Sequence, residues 1–195
     1  FAPVHPLLSE REFVKEVKLQ NPKVLAISDI NFSRFAKHKE GAKLVYCPYM
    51  LHAFFGLPLA KHFEEYNGDG NIPALHMHSG GTSGVPKTVV LSHYGANALV
   101  DNLLTSIPYD FDKKDSMLVT LPMFHGFGLI VGVHVSLCTD MTAVLIPRFS
   151  GKIALDAIRK NGVTTVIAIP RMLTKFLETK GFHGQNVSTL ANVFV

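Results

Sequence analysis

Between residues 116 and 179, short apolar runs rich in β-branched residues alternate with segments that carry apolar side chains at helical spacing. Residues 117–121, 143–146 and 163–169 read as buried strands, and 129–137, 153–160 and 171–179 read as helices, with Pro170 at a first helical position. That order leaves few folds open. Consecutive parallel strands need a crossover between them, and a sheet built this way is covered by helices on both faces. The first part of the chain keeps the rhythm. Ser9-x-x-Glu12 is a capping box, and Phe13, Val14 and Val17 then form one apolar face. Residues 24–27 and 43–47 read as strands on either side of a helix over 31–39, whereas Pro58 interrupts any single helix across 51–66. The expected fold is α/β, with mostly parallel sheets flanked by helices. The polar, charged stretch 109–116 is the best internal boundary, separating a first α/β subdomain (1–115) from part of a second (116–195).

Composition narrows the function classes. An apolar content of 47% with 17% charged residues describes a chain that folds. The net charge of +4 suits an anionic ligand, but no run of Lys or Arg makes a nucleic-acid surface; Lys113 and Lys114 are flanked by Asp110, Asp112 and Asp115. The two cysteines, Cys47 and Cys138, lack metal-ligand spacing and read as reduced core thiols of a cytoplasmic protein. His76 and His78 share a strand face but lack a third ligand nearby, so no metal residues are expected. From 116 to 147 the only formal charge is Asp140, yet Pro122, three glycines and two histidines break the run, and a buried strand–turn–helix–strand explains it better than a membrane span.

The densest chemistry lies in His78-Ser79-Gly80-Gly81-Thr82-Ser83-Gly84-Val85-Pro86-Lys87-Thr88. Glycines let successive backbone N–H groups turn toward an anion, the hydroxyls of Ser79, Thr82 and Ser83 add donors, and Lys87 adds a full charge. A Gly/Ser linker has a similar composition. This loop is instead pinned between strand-like 74–77 and 89–91. Lys87 follows Pro86 and leads into β-branched residues, so it fits neither the Walker pattern nor the dinucleotide fingerprint, both of which open a helix. Ser92 then caps a helix expected over 93–104.

Ser79-Gly80-Gly81-Thr82-Ser83-Gly84-Val85-Pro86-Lys87, continuing through Val89-Val90-Leu91-Ser92-His93, resembles the phosphate loop of the adenylate-forming enzymes. That superfamily comprises acyl-CoA synthetases, coumarate-CoA ligases, luciferases and peptide-synthetase adenylation domains. The Gly80-Gly81 doublet resembles its fatty acyl-CoA ligase branch; Thr88 departs from the glycine usual at that place. Three further segments resemble the family in the same order: residues 1–12, a strand ending in proline before a helix; Leu121-Pro122-Met123-Phe124-His125-Gly126-Phe127-Gly128, the aromatic-histidine motif beside the carboxylate pocket; and Ile169-Pro170-Arg171-Met172-Leu173, a wall of the acyl tunnel.

The resemblance implies an ATP-dependent carboxylate-CoA ligase that forms an acyl-adenylate and then passes the acyl group to coenzyme A. Ser79, Gly80, Gly81, Thr82, Ser83, Gly84 and Lys87 would hold the ATP phosphates. Phe124, His125 and Gly126 would line the acid's pocket, with His125 as the catalytic member, and Met123 and Phe127 would pack in the core. Arg171 reads as a solvated helix-terminal charge. Mg²⁺ would accompany ATP through ligands largely outside this chain. The partners are a small-molecule carboxylic acid, ATP and CoA, with peripheral membrane contact left open. Residues 1–4 and 192–195 read as apolar strand pieces, so the chain is expected to be an incomplete part of a large N-terminal domain. The family's adenine, ribose and hinge elements and its small C-terminal domain are expected to lie outside this chain, and the isolated chain is expected to be inactive. Two other readings stay open: a nucleotide- or ligand-binding module without turnover, and an enzyme that adenylates an aryl or other acid.

Overall fold

The computed structural model describes residues 1–47, 67–79, 87–108, 111–112, 114–146, 148–182 and 187–195. These fall into two compact units, Ala2–Asp69 and Gly70–Val195 with Phe1. The mixed stretch 51–66 and most of the glycine-rich loop lie outside the described residues.

In the first unit, α1 (Glu10–Gln20) starts at the expected capping box. The Ser9 hydroxyl and backbone N–H both donate to Glu12, and the Glu12 N–H donates to Ser9 Oγ. Those bonds to the carboxylate, the hydroxyl's foremost, lower the Glu12 pKa. Asn21, in the left-handed region, ends the helix. β1 (Val24–Ser28) and β2 (Lys43–Cys47) pair in parallel across α2 (Asp29–Phe35) and a 3₁₀ turn, Ala36–His38. Their core is Phe13, Val17, Ile27 and Phe35, with the rings of Phe13 and Phe35 stacked at 4.0 Å.

At the start of α1, Glu10 lies 2.7 Å from Lys37 Nζ and 2.6 Å from His38 Nε2. The hydrogen bond from Lys37, then that from His38, pulls its carboxyl from the ordinary 4.5 to about 2. A carboxyl held low in the fold stabilises above its unfolded value and loses that stabilisation as pH falls through its folded one. Urea midpoints measured from pH 6 down to pH 2 should therefore show Glu10→Gln less stable than wild type above pH 4.5, with the gap closing toward pH 2. A gap independent of pH would exclude the ion cluster as its cause.

In the second unit, β3 (Pro73–Ser79) and β4 (Lys87–Ser92) form an antiparallel hairpin, and Phe1 joins it through backbone bonds to Ala74 and His76. Ser92 caps α3 (His93–Ser106) as expected, its hydroxyl accepting from Gly95 N–H at 3.0 Å. Beyond it lie β5 (Ser116–Val119), a π-helix (Phe127–His134) continued by α4 (Val135–Cys138), β6 (Thr142–Leu145), α5 (Gly151–Asn161), β7 (Thr165–Ile167), α6 (Pro170–Leu177) and β8 (Asn192–Phe194). The sheet order is β6-β5-β7-β8, parallel throughout.

Strand alternation divides this unit into two cores. Met117, Val119 and Ile167 face Val100 of α3 and Ile130, Val131 and Val135 of the helix that follows β5. Leu118, Val166 and Ala168 face Ala154, Leu155 and Ile158 of α5 and Phe176 of α6. The sheet is thus covered on both faces, as the alternating pattern requires. Gly162, at φ 60°, closes α5 in the left-handed conformation and turns the chain into the next strand.

Two expectations are corrected here. Cys138 is an exposed thiol, not a core one, because the buried face of its helix ends at Val135 and Ser136; Cys47 is half-buried. Met123 is 47% exposed, since it lies in the turn beyond β5 and not in a strand or helix that faces a core. The helix expected over 129–137 begins two residues earlier and is π-wound from Phe127 to His134. FGLIVGVH is apolar up to its last residue, and such a segment carries no stripe from which its helical period can be read.

Candidate functional site

The antiparallel register sets Ser79 directly opposite Lys87, and His78 opposite Thr88. Two paired strand ends therefore hold the mouth of the connection, and seven residues, 80–86, cross between them. Gly80, Gly81, Thr82, Ser83 and Gly84 lie in that connection, outside the described residues. Lys87 is exposed at the first position of β4. The hairpin's other end is anchored by packing: Leu75 and Leu91 lie against the core that holds Met117, Val119 and Ile167.

The second candidate group leaves the carboxyl end of β5. Just past the strand, the Thr120 hydroxyl donates to the Ile167 carbonyl of β7 and approaches Met172 Sδ of α6 at 3.3 Å. This ties the ends of two strands and a helix together immediately before the turn. His125 N–H then donates to the Pro122 carbonyl at 3.0 Å, and Leu129 N–H to the His125 carbonyl at 3.0 Å. Phe127 N–H donates to His125 Nδ1 at 3.2 Å. With Nδ1 accepting, the neutral ring carries its proton on Nε2, and that nitrogen is left as a donor on an exposed side chain. Phe124 is half-buried, and a Cβ added at Gly126 would meet nothing within 4 Å. In open α/β sheets, ligands sit outside the carboxyl ends of the strands, and it is from there that this turn leaves. Arg171, in the first turn of α6 beyond the carboxyl end of β7, is exposed as expected.

Close packing holds the turn in place. A Cβ at Gly128 would collide with the carbonyl oxygen of Pro122 and lie 2.6 Å from that of Leu121. At Gly132 it would lie 2.8 Å from both Ile167 Cδ1 and Val119 Cγ1. The two glycines, four residues apart, let the π-helix lie flat against the sheet and against the backbone of the turn. In the sequence both glycines interrupt an apolar run, and Gly128 also closes the aromatic-histidine motif; their spacing is the signal for a face of close approach. Turns of π-helix recur at functional sites.

Among the described residues no group of three or more His, Cys, Asp or Glu is placed to hold a metal ion, and no helix is long and apolar enough to cross a membrane.

Fold and site together define an α/β domain whose candidate loops leave the ends of strands. The chain belongs to the AMP-binding enzyme family, whose profile matches residues 1–194. It is 33% identical over 101 residues to long-chain fatty acid transport protein 5 of Homo sapiens, covering 52% of this chain and 14% of that protein. It is 31% identical over 119 residues to the indoleacetate–CoA ligase of Aromatoleum aromaticum, covering 60% and 23%. In fold it is similar to ATP-bound MatB from Rhodopseudomonas palustris, with a TM-score of 0.83 at 18% identity over 98% of this chain and 38% of that one. The o-succinylbenzoate coenzyme A synthetase MenE from Bacillus subtilis, in complex with ATP and magnesium, gives 0.78 at 22% identity over 98% and 38%. The chain thus spans less than a quarter of the length of these sequence relatives and about two fifths of these solved structures.

Proposed function

We propose that this chain is the phosphate-loop and acid-pocket portion of an ATP-dependent carboxylate-CoA ligase acting on a fatty acid in the cytoplasm. The observation that carries the reading is the β3–β4 hairpin, which sets Ser79 across from Lys87 at the mouth of a connection holding three glycines and two further hydroxyls. A donor set of hydroxyls, glycine backbone N–H groups and one ammonium suits a polyphosphate. In this reading Ser79, Gly80, Gly81, Thr82, Ser83, Gly84 and Lys87 orient the β and γ phosphates of ATP. Mg²⁺ would supply further charge neutralisation when bound, through ligands largely outside this chain. Catalysis is then mainly positioning and electrostatics: the loop stabilises charge that builds on the departing pyrophosphate while the carboxylate oxygen attacks the α-phosphorus. CoA accepts the acyl group in a second step. The division into subdomains 1–115 and 116–195 belongs to the same proposal.

His125 acts in this scheme as the donor beside the acid. Its Nδ1 is engaged by Phe127 N–H, so Nε2–H is the group left to meet a carboxylate oxygen, with Phe124 and Gly126 flanking it. In the full-length enzyme, His125→Ala should raise KM for the acid roughly tenfold or more, the worth of a hydrogen bond to a charged group, while KM for ATP changes less. Steady-state kinetics and thermal melting on one preparation make the test. A lowered melting temperature with wild-type constants for both substrates would reduce His125 to a structural residue.

An aryl acid is the second reading, favoured by the likeness to proteins named indoleacetate–CoA ligase and 4-coumarate–CoA ligase. Turnover with a panel of fatty and aryl acids decides between them.

A further inference from the structure

Charge is spread unevenly along this chain. Residues 148–180 carry seven Lys or Arg against two acidic residues, whereas the rest of the chain carries twelve against thirteen. No run of basic residues produces this surface; packing assembles it. α5 and α6 cover the same face of the sheet through Ala154, Leu155, Ile158 and Phe176, and a Cβ added at Gly151 would collide with Thr179 Oγ1. Opposite that buried stripe, Lys152, Asp156, Arg159 and Lys160 recur at helical spacing on α5, all exposed. Arg171 and Lys175 lie one turn apart on α6, Arg148 precedes α5 and Lys180 follows α6, and these four are exposed too. Among the described residues only Arg159 of the seven has an ion-pair partner, Asp156 at 3.9 Å. Two aliphatic side chains stand among the cations, Ile153 at 41% exposure and Leu177 at 67%. Arg148, Ile153, Lys175 and Glu178 share the lining of an open cavity of about 590 Å³.

We propose that the outer surface of α5 and α6 docks the protein on an anionic lipid surface. Arg148, Lys152 and Lys175 meet the lipid phosphates, with the cavity between Arg148 and Lys175 admitting a headgroup, and Ile153 and Leu177 enter the boundary of the acyl region. Both terms of interfacial binding are present: cations drawn to the negative surface and apolar area removed from water. The long stems of Lys and Arg let their charged ends stay at headgroup level while an aliphatic neighbour goes deeper. A nucleic acid matches the charge but has no use for the two exposed aliphatic side chains. Among the described residues of this face no aromatic ring is exposed to stack on bases, since Phe149 is half-buried against Phe176.

Sedimentation with vesicles reads binding with no catalytic assay, so its result is independent of which acid the enzyme activates. Two compositions are compared: phosphatidylcholine alone, and three parts phosphatidylcholine to one part phosphatidylglycerol. The whole chain and the full-length enzyme should both bind the anionic vesicles about tenfold or more tightly than the neutral ones. Raising salt from about 0.05 M to about 0.5 M should release them. A triple variant, Arg148→Gln with Lys152→Gln and Lys175→Gln, should bind about 100-fold more weakly, about fivefold for each charge. Lys18→Gln with Lys23→Gln and Lys39→Gln removes the same charge from exposed positions of the first unit and should stay within about twofold of wild type. Leu177→Asn keeps every charge and should weaken binding about tenfold. Equal binding to neutral vesicles overturns the proposal, as does a first-unit triple that weakens as much as the other. Retention on single-stranded RNA or polyglutamate with the vesicles ignored overturns it too, and so does a full-length enzyme that ignores them. If a variant fails to fold, the lipid and salt comparison on the wild-type protein decides alone.

Discussion

Lys87→Ala should slow acyl-adenylate formation in the full-length enzyme by about 100-fold, the usual cost of removing one preorganised charge stabiliser from a transition state. The argument starts from register. Lys87 opens β4 and pairs with Ser79 at the close of β3, so the hairpin ladder fixes its backbone. It is the only lysine or arginine between 78 and 88, and its side chain is exposed. Charge builds on the pyrophosphate as its bond to the α-phosphorus breaks, so the loss should fall on kcat more than on KM for ATP. Lys87→Arg should recover only part of the rate, because a planar guanidinium does not place its charge where an ammonium does. ATP–pyrophosphate exchange is the direct measurement. An unchanged exchange rate would remove the loop from the mechanism, and an unchanged melting temperature would show that the loss is catalytic.

Gly128→Ala should destabilise the chain by about 3 kcal/mol, the upper end of the usual cost of overpacking. Within a helix this substitution ordinarily gains roughly 1 kcal/mol from propensity, so the predicted sign depends wholly on packing. The added Cβ would meet the Pro122 carbonyl oxygen, Leu121 O at 2.6 Å and Pro122 C at 2.8 Å, all main-chain atoms that no rotamer change can move aside. Either the π-helix lifts off the sheet or the 121–125 turn opens, and the latter breaks the bond from His125 N–H to Pro122. Gly126→Ala, two residues away, meets nothing within 4 Å and should stay within about 0.5 kcal/mol of wild type. Urea denaturation of the two variants side by side makes the comparison, and equal stabilities would show that the close approach does not constrain the turn.

By itself the sequence determined the elements and their class. Ser9-x-x-Glu12, Ser92 and Pro170 each sit where the structure begins a helix, because capping and proline placement are local effects that a few neighbouring residues settle. The strand–helix alternation over 116–179 implied a parallel, doubly covered sheet, since a crossover can return a strand in few other ways. The resemblance carried by Gly80-Gly81-Thr82-Ser83-Gly84 and Phe124-His125-Gly126 is matched by membership of the AMP-binding enzyme family over residues 1–194. What the tertiary structure alone decided were facts that depend on residues far apart in the chain. The sheet order β6-β5-β7-β8 and the tie from Thr120 to Ile167 join segments nearly fifty residues apart, and no local pattern encodes such a partner. The π-winding of 127–134 was hidden because a segment apolar up to its last residue has no periodic face. The exposure of Cys138 follows from where a buried helix face ends against its neighbours, and a thiol's apolar character does not reveal it. Hydrophobic pattern and caps are written along the chain, whereas close approach, register and the last exposed turn exist only once separate segments have packed.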